Sequence, residues 1–416
     1  MKILHTADLH IDSPMGSLES YEGAPVEVMR ASTRRAVDNV IELALRAGVD
    51  VVTIGGDVFD GQWRDINTGL WWHGRLEKLV EAGIEVFVVH GNHDAESLLT
   101  ERIAAPEGVH VFASHEATSV ESSKGPLVVH GQSYRDRATM DNLAAGYPNA
   151  VPGVVNVGLL HTSLDGRPGH APYAPCTIDT LIAKGYAWWG LGHVHERECV
   201  EVDGTYVLFP GNTQGRSVRE IGPRYASVVT MDGNGVEQVE HVEVDVVRWV
   251  RPVIDVSDLA SEDELNERAA EVVADARRQA GRPLAVRLDL TGTGPLHRVL
   301  LDRPQAIRAN LIARISGAEG DVWLEKIIDG TRPERDVGAA ETAAVAAVRA
   351  VLEQALRDDD TARSLAGVLP RLQEKYGSLL GRLAAHGGPP SLTSPAFLRE
   401  RLPRAAAMLI ARLEER

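Results

Sequence analysis

The chain has 416 residues, 44% of them hydrophobic and 25% charged, which is the composition of a globular protein that buries its cores. Its length predicts two or three domains. A net charge of -16 excludes a protein that coats nucleic acid through its overall charge. Divalent cations bound at one site would still attract phosphate locally, so this charge is compatible with a nuclease.

The cysteine content and the N-terminus bear on the cellular compartment. Only Cys176 and Cys199 occur, which argues against a disulfide framework and fits a reducing environment. The first residues enter a strand without a signal-peptide pattern, and no apolar run approaches the roughly 18 residues that cross a bilayer. We therefore predict a cytoplasmic protein that does not contact a membrane.

The first part of the chain alternates strand-like and helix-like segments. Apolar runs predict strands over residues 3–6, 50–54 and 85–90, and apolar residues at helical spacing predict helices over residues 25–47 and 66–82. This β-α-β-α-β order is typical of parallel strands joined by right-handed crossovers.

Farther along the chain the segments become shorter. Short strands are predicted between residues 109 and 130, a helix over residues 137–145, and buried strands over residues 154–160 and 186–191. Between residues 198 and 247, short β-runs joined by turn residues favour antiparallel hairpins. Together these segments predict an α/β fold in which two sheets pack as a sandwich flanked by helices.

The remainder of the chain divides into two further regions. Residues 251–332 predict a small α+β domain, whose first helix begins with a capping box formed by Ser261 and Glu264. Residues 339–416 follow a linker and are rich in Ala, Leu, Arg and Glu, which predicts helices interrupted by proline. The predicted domains are therefore residues 1–250, 251–332 and 339–416.

Side chains with metal-binding chemistry follow five of the predicted strands. In an open α/β sheet, ligands bind beyond the carboxyl ends of the strands, so we expect these side chains to meet in one site. Glycines next to them, at Gly55, Gly56 and Gly192, would let the backbone approach the metals closely. The candidate metal ligands are Asp8, His10, Asp57, Asn92, His161, His193 and His195.

This ligand set fits two divalent cations. Oxygen and nitrogen donors without a thiolate suit Mn(II), Fe(II) or Zn(II). If Asp57 bridges, the donors divide into two groups of four and leave positions open for water and a phosphate oxygen. Two cations about 3.5 to 4 Å apart would stabilise the attacking and leaving oxygens of an in-line displacement at phosphorus.

Each motif taken alone has a purely structural interpretation. Asp8 and His10 could form only a turn, Asp57 and Asp60 only a helix cap, and His161 could end a strand without binding anything. The occurrence of every motif at a strand end, in this order, favours a common metal site over these interpretations.

The ordered motifs resemble those of the calcineurin-like metallophosphoesterases, over about residues 1–250. The resemblance implies a four-layer α-β-β-α sandwich that contains a dinuclear metal site. It also implies how the ligands are shared. One metal would be held by Asp8, His10, Asp57 and His195, and the other by Asp57, Asn92, His161 and His193.

The same resemblance implies roles for three further residues. His93 would be the catalytic histidine, and Asp94 would orient it. Asp60 would contact the metal ligands without binding a metal itself. A hydroxide that bridges the two ions would attack phosphorus while His93 assists the departing sugar oxygen.

Within the superfamily, residues 3–10, 56–60 and 92–94 look like those of SbcD-type DNA repair exonucleases, and residues 159–176 are similar to the YhaO-like bacterial branch. Protein phosphatases of the superfamily carry Arg and Glu where Gly61 and Asp94 stand in this chain. That difference argues against a phosphoprotein substrate.

The SbcD-type resemblance also implies partners. Residues 251–332 would form a capping domain that guides DNA over the site, and residues 339–416 would dock on an SbcC-like SMC-type ATPase. Relatives commonly form homodimers. Separately, Arg216, Arg219 and Arg224 lie in the loop after the last metal motif, and we predict that they contact DNA because arginine suits bidentate phosphate recognition.

The predicted function is hydrolysis of DNA phosphodiester bonds by a repair exonuclease or endonuclease, with Mn(II) as the preferred metal. Two alternatives stay open. The same site could act on a small diester such as a cyclic nucleotide, or the chain could be a structural subunit that only holds the ATPase. The regions after residue 250 argue against the small substrate, and the intact ligand set argues against the structural subunit.

Overall fold

The computed structural model describes residues 1–15, 25–60, 65–96, 104–166, 171–233, 235–316 and 321–334, together with residues 346, 347, 349, 350 and 353. The helices predicted for residues 339–416 lie almost entirely outside the described residues. Among the helices within these ranges, none combines the length and the apolar composition needed to span a membrane.

The strands and helices follow the predicted alternation through most of the chain. The strands are β1 (Lys2–Thr6), β2 (Val51–Ile54), β3 (Glu85–Val88), β4 (Val109–Val111), β5 (Thr118–Glu121), β6 (Leu127–Gln132), β7 (Val155–His161), β8 (Trp188–Gly192), β9 (Glu198–Val202), β10 (Thr205–Phe209), β11 (Tyr225–Asp232), β12 (Gly235–Glu243), β13 (Arg248–Val250), β14 (Val253–Asp255), β15 (Leu284–Thr291) and β16 (Val322–Asp329). The helices are α1 (Val26–Ala47), α2 (Ile66–Glu81), α3 (Ile178–Ile182), α4 (Glu262–Ala280), α5 (Leu296–Asp302) and α6 (Pro304–Ile315).

Two six-stranded sheets contain the first twelve strands. The first has the order β12-β11-β1-β2-β3-β4 and the second the order β5-β6-β7-β8-β10-β9. Strands β1 to β4 pair in parallel, which confirms the predicted β-α-β-α-β unit. Strands β11 and β12 form the predicted antiparallel hairpin, and β11 joins that hairpin to β1. In the second sheet the four strands β6, β7, β8 and β10 are parallel.

The two sheets pack face to face through alternating apolar side chains. Ile3 and Phe87 of the first sheet share a core with Val157 and Trp188 of the second. On the outer side of the first sheet, α1 and α2 bury their apolar faces against β1, β2 and β3. The outer side of the second sheet is covered by α3 and by the segments around Tyr147. The predicted four-layer α/β sandwich is therefore confirmed.

The helix predicted for residues 137–145 is wrong. The structure has only a short 3-10 turn, Leu143–Gly146, which Asn142 caps by accepting a hydrogen bond from the N–H of Ala145. Residues 135–138 and 140–142 are exposed, so this segment has no apolar stripe to bury. A helix in water draws most of its stability from such a stripe, and without one it does not form here.

The third sheet begins at Arg248, just before the predicted boundary. Its central strand β15 pairs in parallel with β13 and β14 on one side and with β16 on the other. Helices α4 and α6 cover one face of this sheet. The Ser261 half of the predicted capping box is confirmed at the start of α4, because the Ser261 hydroxyl accepts from the N–H of Glu264. The Glu264 carboxylate reaches back one residue farther than a capping box requires and accepts from the N–H of Ala260.

The other face of the third sheet packs against the sandwich. Trp249, Ala285 and Trp323 of this sheet meet Met29 of α1 in one small apolar cluster. The third sheet therefore shares a core with the first part of the chain, close to the loop that follows β10.

Candidate metal centre

The carboxyl ends of β1, β2, β7 and β8 meet at one edge of the sandwich. The N–H of Asp8 donates to the carbonyl of Gly56 at 2.9 Å, so the first two strands stay together beyond their regular pairing. A Cβ placed on Gly192 would lie 2.1 Å from the carbonyl oxygen of Gly55. Only glycine lets the end of β8 approach the end of β2 this closely, and that approach joins the two sheets at the site.

Several residues at these strand ends adopt left-handed backbone conformations. The φ angles of Asp8, His10, Asp57 and His193 are 52°, 42°, 51° and 98°. Such angles are unfavourable for residues other than glycine and persist only where surrounding contacts impose them. Here they aim successive side chains of each short motif at the same small volume.

The first group of donors consists of Asp8, His10 and His195. The Nε2 atoms of His10 and His195 lie 3.2 Å apart. The Nε2 atom of His195 lies 3.9 Å from Oδ1 of Asp8. These three residues each offer one atom to a common position, as a metal site requires.

The second group of donors surrounds Asn92. Its Oδ1 lies 3.1 Å from Nε2 of His161 and 3.2 Å from Nδ1 of His193. Between the two groups lies Asp57, whose Oδ2 is 3.6 Å from Nε2 of His161 and 3.9 Å from Nε2 of His10. The structure therefore brings together all of the predicted ligands, with Asp57 between the two groups.

The two buried carboxylates of this site, Asp8 and Asp57, favour the binding of cations. Asp8 and Asp57 are 1% and 2% exposed. Burial, followed by repulsion from Asp57, raises the pKa of Asp8 well above its usual value, and burial raises the pKa of Asp57 to about 7. Bound divalent ions would neutralise both carboxylates and remove this repulsion. The donor set therefore fits a pair of metal ions.

Burial favours the neutral form of two histidines of the site, His10 and His161. Burial lowers the pKa of His161 to about 4, and burial together with the charge of Arg216 lowers the pKa of His10. The ring nitrogens of His161 and His193 that face away from Asn92 contact backbone carbonyls. Nδ1 of His161 lies 2.8 Å from the carbonyl of Gly55, and Nε2 of His193 lies 2.9 Å from the carbonyl of Ala171. Such contacts select which nitrogen faces the metal.

For His195, the acceptor at the ring nitrogen that faces away from the site is the carboxylate of Glu220. Its Oε1 lies 2.7 Å from Nδ1 of His195. Burial raises the pKa of the Glu220 carboxyl, but the hydrogen bond to His195 and the charge of Arg216 outweigh burial and lower it. Glu220 is not among the residues predicted from the sequence, because it lies in a loop without a periodic pattern and its spacing from His195 matches no metal motif.

The orienting partner of His93 in the structure differs from the predicted one. Nδ1 of His93 lies 3.2 Å from Oδ1 of Asp60. The carboxylate of Asp94 accepts from the backbone N–H groups of Val58, Phe59 and Gly91, at 3.0 to 3.2 Å. Asp94 therefore braces two loops of the site, and the carboxylate beside the imidazole is that of Asp60.

Asp60 is also tied to the opposite side of the site. The hydroxyl of Ser13 donates to its Oδ2 at 2.6 Å, and Nη1 of Arg216 lies 3.4 Å from the same oxygen. Burial raises the pKa of Asp60, but His10 and Arg216 outweigh burial and hold the pKa below its usual range. Asp60 is therefore a stable anion beside His93.

The three arginines predicted to contact DNA have different environments. Arg224 is buried and donates to the carbonyl of His195 at 2.8 Å and to that of Ile221 at 2.6 Å. Arg219 is exposed. Arg216 lies against the site, between Asp60 and Glu220. The structure therefore brings only Arg216 to the metal centre.

Two family profiles match the chain. The calcineurin-like phosphoesterase profile matches residues 1–197, and the profile of the middle domain of metallophosphoesterase YhaO matches residues 249–332. An uncharacterized metallophosphoesterase YhaO of Bacillus subtilis strain 168 is 31% identical over 344 residues, which cover 81% of this chain and 83% of the relative. The chain belongs to the calcineurin-like metallophosphoesterase family.

More distant similarities extend to two further proteins. A DNA double-strand break repair protein Mre11 of Methanosarcina mazei is 29% identical over 252 residues, and the match covers 57% of this chain and 37% of that protein. A crystal structure of the protein TT1561 of Thermus thermophilus superposes with a TM-score of 0.34 at 16% identity, covering 58% of this chain and 98% of the other.

Membership of the calcineurin-like metallophosphoesterases agrees with the geometry of the site. The family uses a dinuclear metal site, and in this chain Oδ2 of Asp57 lies between two groups of donors, 3.6 Å from Nε2 of His161 and 3.9 Å from Nε2 of His10. The chain is therefore a metallophosphoesterase, a hydrolase of phosphate esters with a metal-binding cluster at the carboxyl ends of its strands.

Proposed function

We propose that the protein is a cytoplasmic, Mn(II)-dependent DNA nuclease that hydrolyses phosphodiester bonds as part of DNA repair. The observation that carries this proposal is the meeting of two donor groups around the buried Asp57, with the imidazole of His93 at their open side. The side chain of His93 is 26% exposed, whereas that of Asp57 is 3% exposed. A phosphate that reaches the ligands from solvent therefore meets His93.

The chain's own residues supply orientation and proton transfer. Bound divalent ions would polarise the phosphate and lower the pKa of a water molecule that attacks it. Oδ1 of Asp60 lies 3.2 Å from Nδ1 of His93, close enough for its charge to orient the imidazole, so that Nε2 can donate a proton to the departing oxygen. Asp57 also accepts from the backbone N–H of His93 at 2.9 Å, so the same carboxylate serves the metals and the catalytic residue.

Two observations support DNA as the substrate. Several relatives are named DNA double-strand break repair proteins. The third sheet of this chain packs against the sandwich through Trp249, whose Nε1 donates to the carbonyl of Gly215 at 3.1 Å, in the loop beside the metal centre. We propose that this sheet caps the site and guides a DNA strand toward it.

We further propose that the chain forms a homodimer and works with an SbcC-like SMC-type ATPase, which docks on residues 339–416. Size-exclusion chromatography of the full chain with that ATPase tests the docking. A stable complex with the full chain, and none with a chain ending at residue 334, is the expected result. Equal binding by both chains would contradict the assignment of residues 339–416.

A nuclease assay tests the choice of substrate. We expect Mn(II)-dependent cleavage of linear duplex DNA by the purified protein, alongside hydrolysis of bis-p-nitrophenyl phosphate. Activity on the small diester with none on DNA would instead support a small-molecule phosphodiesterase. A protein that binds no metal yet still binds the ATPase would support a structural subunit.

A further inference from the structure

We propose that Glu220 and Arg216 are positioning residues, which connect the metal ligand His195 to the catalytic histidine through a continuous set of charged contacts. Glu220 fixes His195, and Arg216 fixes Asp60 and thereby His93. The inference rests on the proposed metal-dependent hydrolysis, but it does not require that the substrate be DNA.

The Glu220 carboxylate is shared between the metal ligand and its own loop. Oε1 lies 2.7 Å from Nδ1 of His195 and 3.3 Å from Nη2 of Arg216. Oε2 accepts from the backbone N–H of Arg216 at 2.7 Å and from Nδ2 of Asn212 at 3.1 Å. With four contacts from three residues, this carboxylate can hold the imidazole of His195 in one orientation.

The guanidinium of Arg216 lies between two carboxylates. Its Nη1 lies 3.4 Å from Oδ2 of Asp60, and its Nη2 lies 3.3 Å from Oε1 of Glu220. Its side chain is 19% exposed. A guanidinium held on both sides in this way can fix the position of Asp60, whose other oxygen, Oδ1, lies next to His93. Because both sides are already occupied by carboxylates, it is poorly placed to bind a substrate phosphate.

The loop that carries both residues is bonded directly to the last metal motif. The N–H of Asn212 donates to the carbonyl of His195 at 3.2 Å, and a Cβ on Gly211 would lie 2.7 Å from that same oxygen. Gly211 also has a φ of +80°, a conformation that glycine adopts without strain. The backbone of the loop at residues 211 and 212 is therefore packed against the carbonyl of His195, so a shift of the loop would also shift His195.

A simpler explanation is that Glu220 and Arg216 form an ion pair that only closes their loop. The two explanations predict different measurements. An ion pair of that kind would affect stability alone. If the two are positioning residues, the loss of Glu220 would weaken metal binding at one site, and the loss of Arg216 would lower turnover.

Glu220→Gln tests the contact to His195. Manganese binding is measured by isothermal titration calorimetry, with no substrate present. We expect one of two binding sites to weaken by about 10- to 100-fold, the effect typical of losing a carboxylate behind a metal-binding histidine. Turnover of bis-p-nitrophenyl phosphate should recover at high Mn(II). Two sites of unchanged affinity would overturn the proposal.

Two further variants make this test independent of folding. Glu237→Gln removes the same charge from an exposed position on β12 and should leave both affinities unchanged. If Glu220→Gln does not fold, Glu220→Asp keeps the charge but withdraws the carboxylate from His195. It should weaken the same metal site, and unchanged affinity in that variant would also overturn the proposal.

Arg216→Gln tests the contact to Asp60 by separating kcat from KM at saturating Mn(II). A positioning role predicts a kcat that falls at least about tenfold with KM for bis-p-nitrophenyl phosphate nearly unchanged. A direct phosphate contact would instead raise KM while leaving kcat nearly unchanged, and that result would overturn the role assigned to Arg216. Arg216→Lys should restore little activity, because lysine cannot hold two carboxylates in the same planar geometry.

These outcomes are distinguishable from a failure of the proposed nuclease function. If the protein binds two manganese ions but cleaves no DNA, the nuclease proposal fails and the calorimetric test of Glu220 still stands. If Glu220→Gln binds manganese as the parent does while DNA is cleaved, the positioning proposal fails alone.

Discussion

Asp57 determines the geometry of the site because both of its carboxylate oxygens are used. Oδ2 faces His161 and His10, which belong to different donor groups, and Oδ1 accepts from the backbone N–H of His93. The left-handed conformation of Asp57 turns the carboxylate back toward the strand ends. One residue would thereby hold both metals, and it also accepts from the turn that carries His93.

At this scale the clearest prediction concerns His93. We expect His93→Ala to reduce phosphodiester hydrolysis by about 10²- to 10⁴-fold, because the variant lacks the group that protonates the leaving oxygen. Manganese binding should remain, since the His93 side chain is not among the proposed ligands. Hydrolysis of bis-p-nitrophenyl phosphate, measured beside manganese calorimetry, checks both statements. A variant that cleaves at the parent's rate would contradict the assignment.

A second prediction concerns stability and pH. His5 is fully buried, where Nδ1 lies 3.0 Å from the hydroxyl of Thr53 and Nε2 lies 3.0 Å from the carbonyl of Leu191. Burial lowers its pKa from 6.5 to about 4. Between about pH 6.5 and pH 4, His5 is therefore protonated in the unfolded chain but neutral in the folded protein. Proton binding then favours the unfolded chain, so the free energy of unfolding falls as the pH decreases through this interval.

The size of this effect follows from the shift in pKa, and is on the order of 3 kcal/mol. We expect the unfolding free energy of His5→Gln, measured in urea at several pH values, to depend less on pH across that interval than that of the parent. The variant keeps polar atoms near Thr53 and Leu191 without a titratable group. Identical pH dependence in the two proteins would contradict the prediction.

The convergence of the candidate metal ligands could be predicted from the sequence, whereas the loop residues that contact them could not. Each ligand follows a strand, and the carboxyl ends of parallel strands converge whatever the loops do. Glu220 and the carbonyl of Ala171 come from irregular loops, whose course depends on tertiary packing. The family resemblance implies Asp94 as the partner of His93, but the turn sends the Asp94 carboxylate toward backbone N–H groups.

At the scale of elements, the site depends on how closely the strand ends approach one another. A Cβ on Gly91 would lie 2.3 Å from Oδ1 of Asp57, and one on Gly192 would lie 2.1 Å from the carbonyl of Gly55. A side chain at either position would displace backbone or a bridging ligand. The contact between the ends of β2 and β8 is therefore part of the metal site.

Gly192→Ala tests this contact. We expect weaker manganese binding and a lower melting temperature, because the added methyl group forces β8 away from β2 and separates His193 from Asp57. Calorimetry and thermal denaturation measure the two effects. Gly74→Ala is the matched control, since Gly74 lies in α2 with nothing within 4 Å of an added Cβ. It should bind manganese normally and gain roughly 0.5 to 1 kcal/mol. Normal manganese affinity in Gly192→Ala would contradict the account.

The sequence predicted elements well where hydrophobic periodicity was strong. Helices α1 and α2 and strands β1 to β3 bury one face or both faces, so their apolar residues recur regularly. The segment at residues 137–145 contains a helix-like composition but little apolar surface to bury. Composition without a buried face was therefore an insufficient basis for that helix.

At the scale of the whole molecule, the loop after β10 connects the metal centre to the third sheet. The carbonyl of Gly215 in this loop accepts from Nε1 of Trp249. Gln214, in the same loop, donates from Nε2 to the carbonyl of Val247 and accepts at Oε1 from the N–H of Val246. Trp249 is 2% exposed and meets Trp323 edge to face. The third sheet and the site therefore share one loop.

Trp249→Ala tests this connection. We expect the variant to lose about 3 to 5 kcal/mol of unfolding free energy, because it loses a large buried ring and one of the two donors, Trp249 and Gln214, to the carbonyl of Gly215. Denaturation in urea measures the loss. Val253→Ala, at a position that is 60% exposed on the same sheet, is the control and should change the free energy by less than about 0.5 kcal/mol. A loss below about 1 kcal/mol in Trp249→Ala would contradict the shared core.

Anomalous X-ray scattering from crystals soaked in Mn(II) would show directly whether Asp57 holds two cations between the two donor groups. We expect two anomalous peaks per chain about 3.5 to 4 Å apart, one beside Asp8, His10 and His195 and the other beside Asn92, His161 and His193. Asp57→Asn should weaken both peaks. A single peak, or ions bound away from Asp57, would contradict the account.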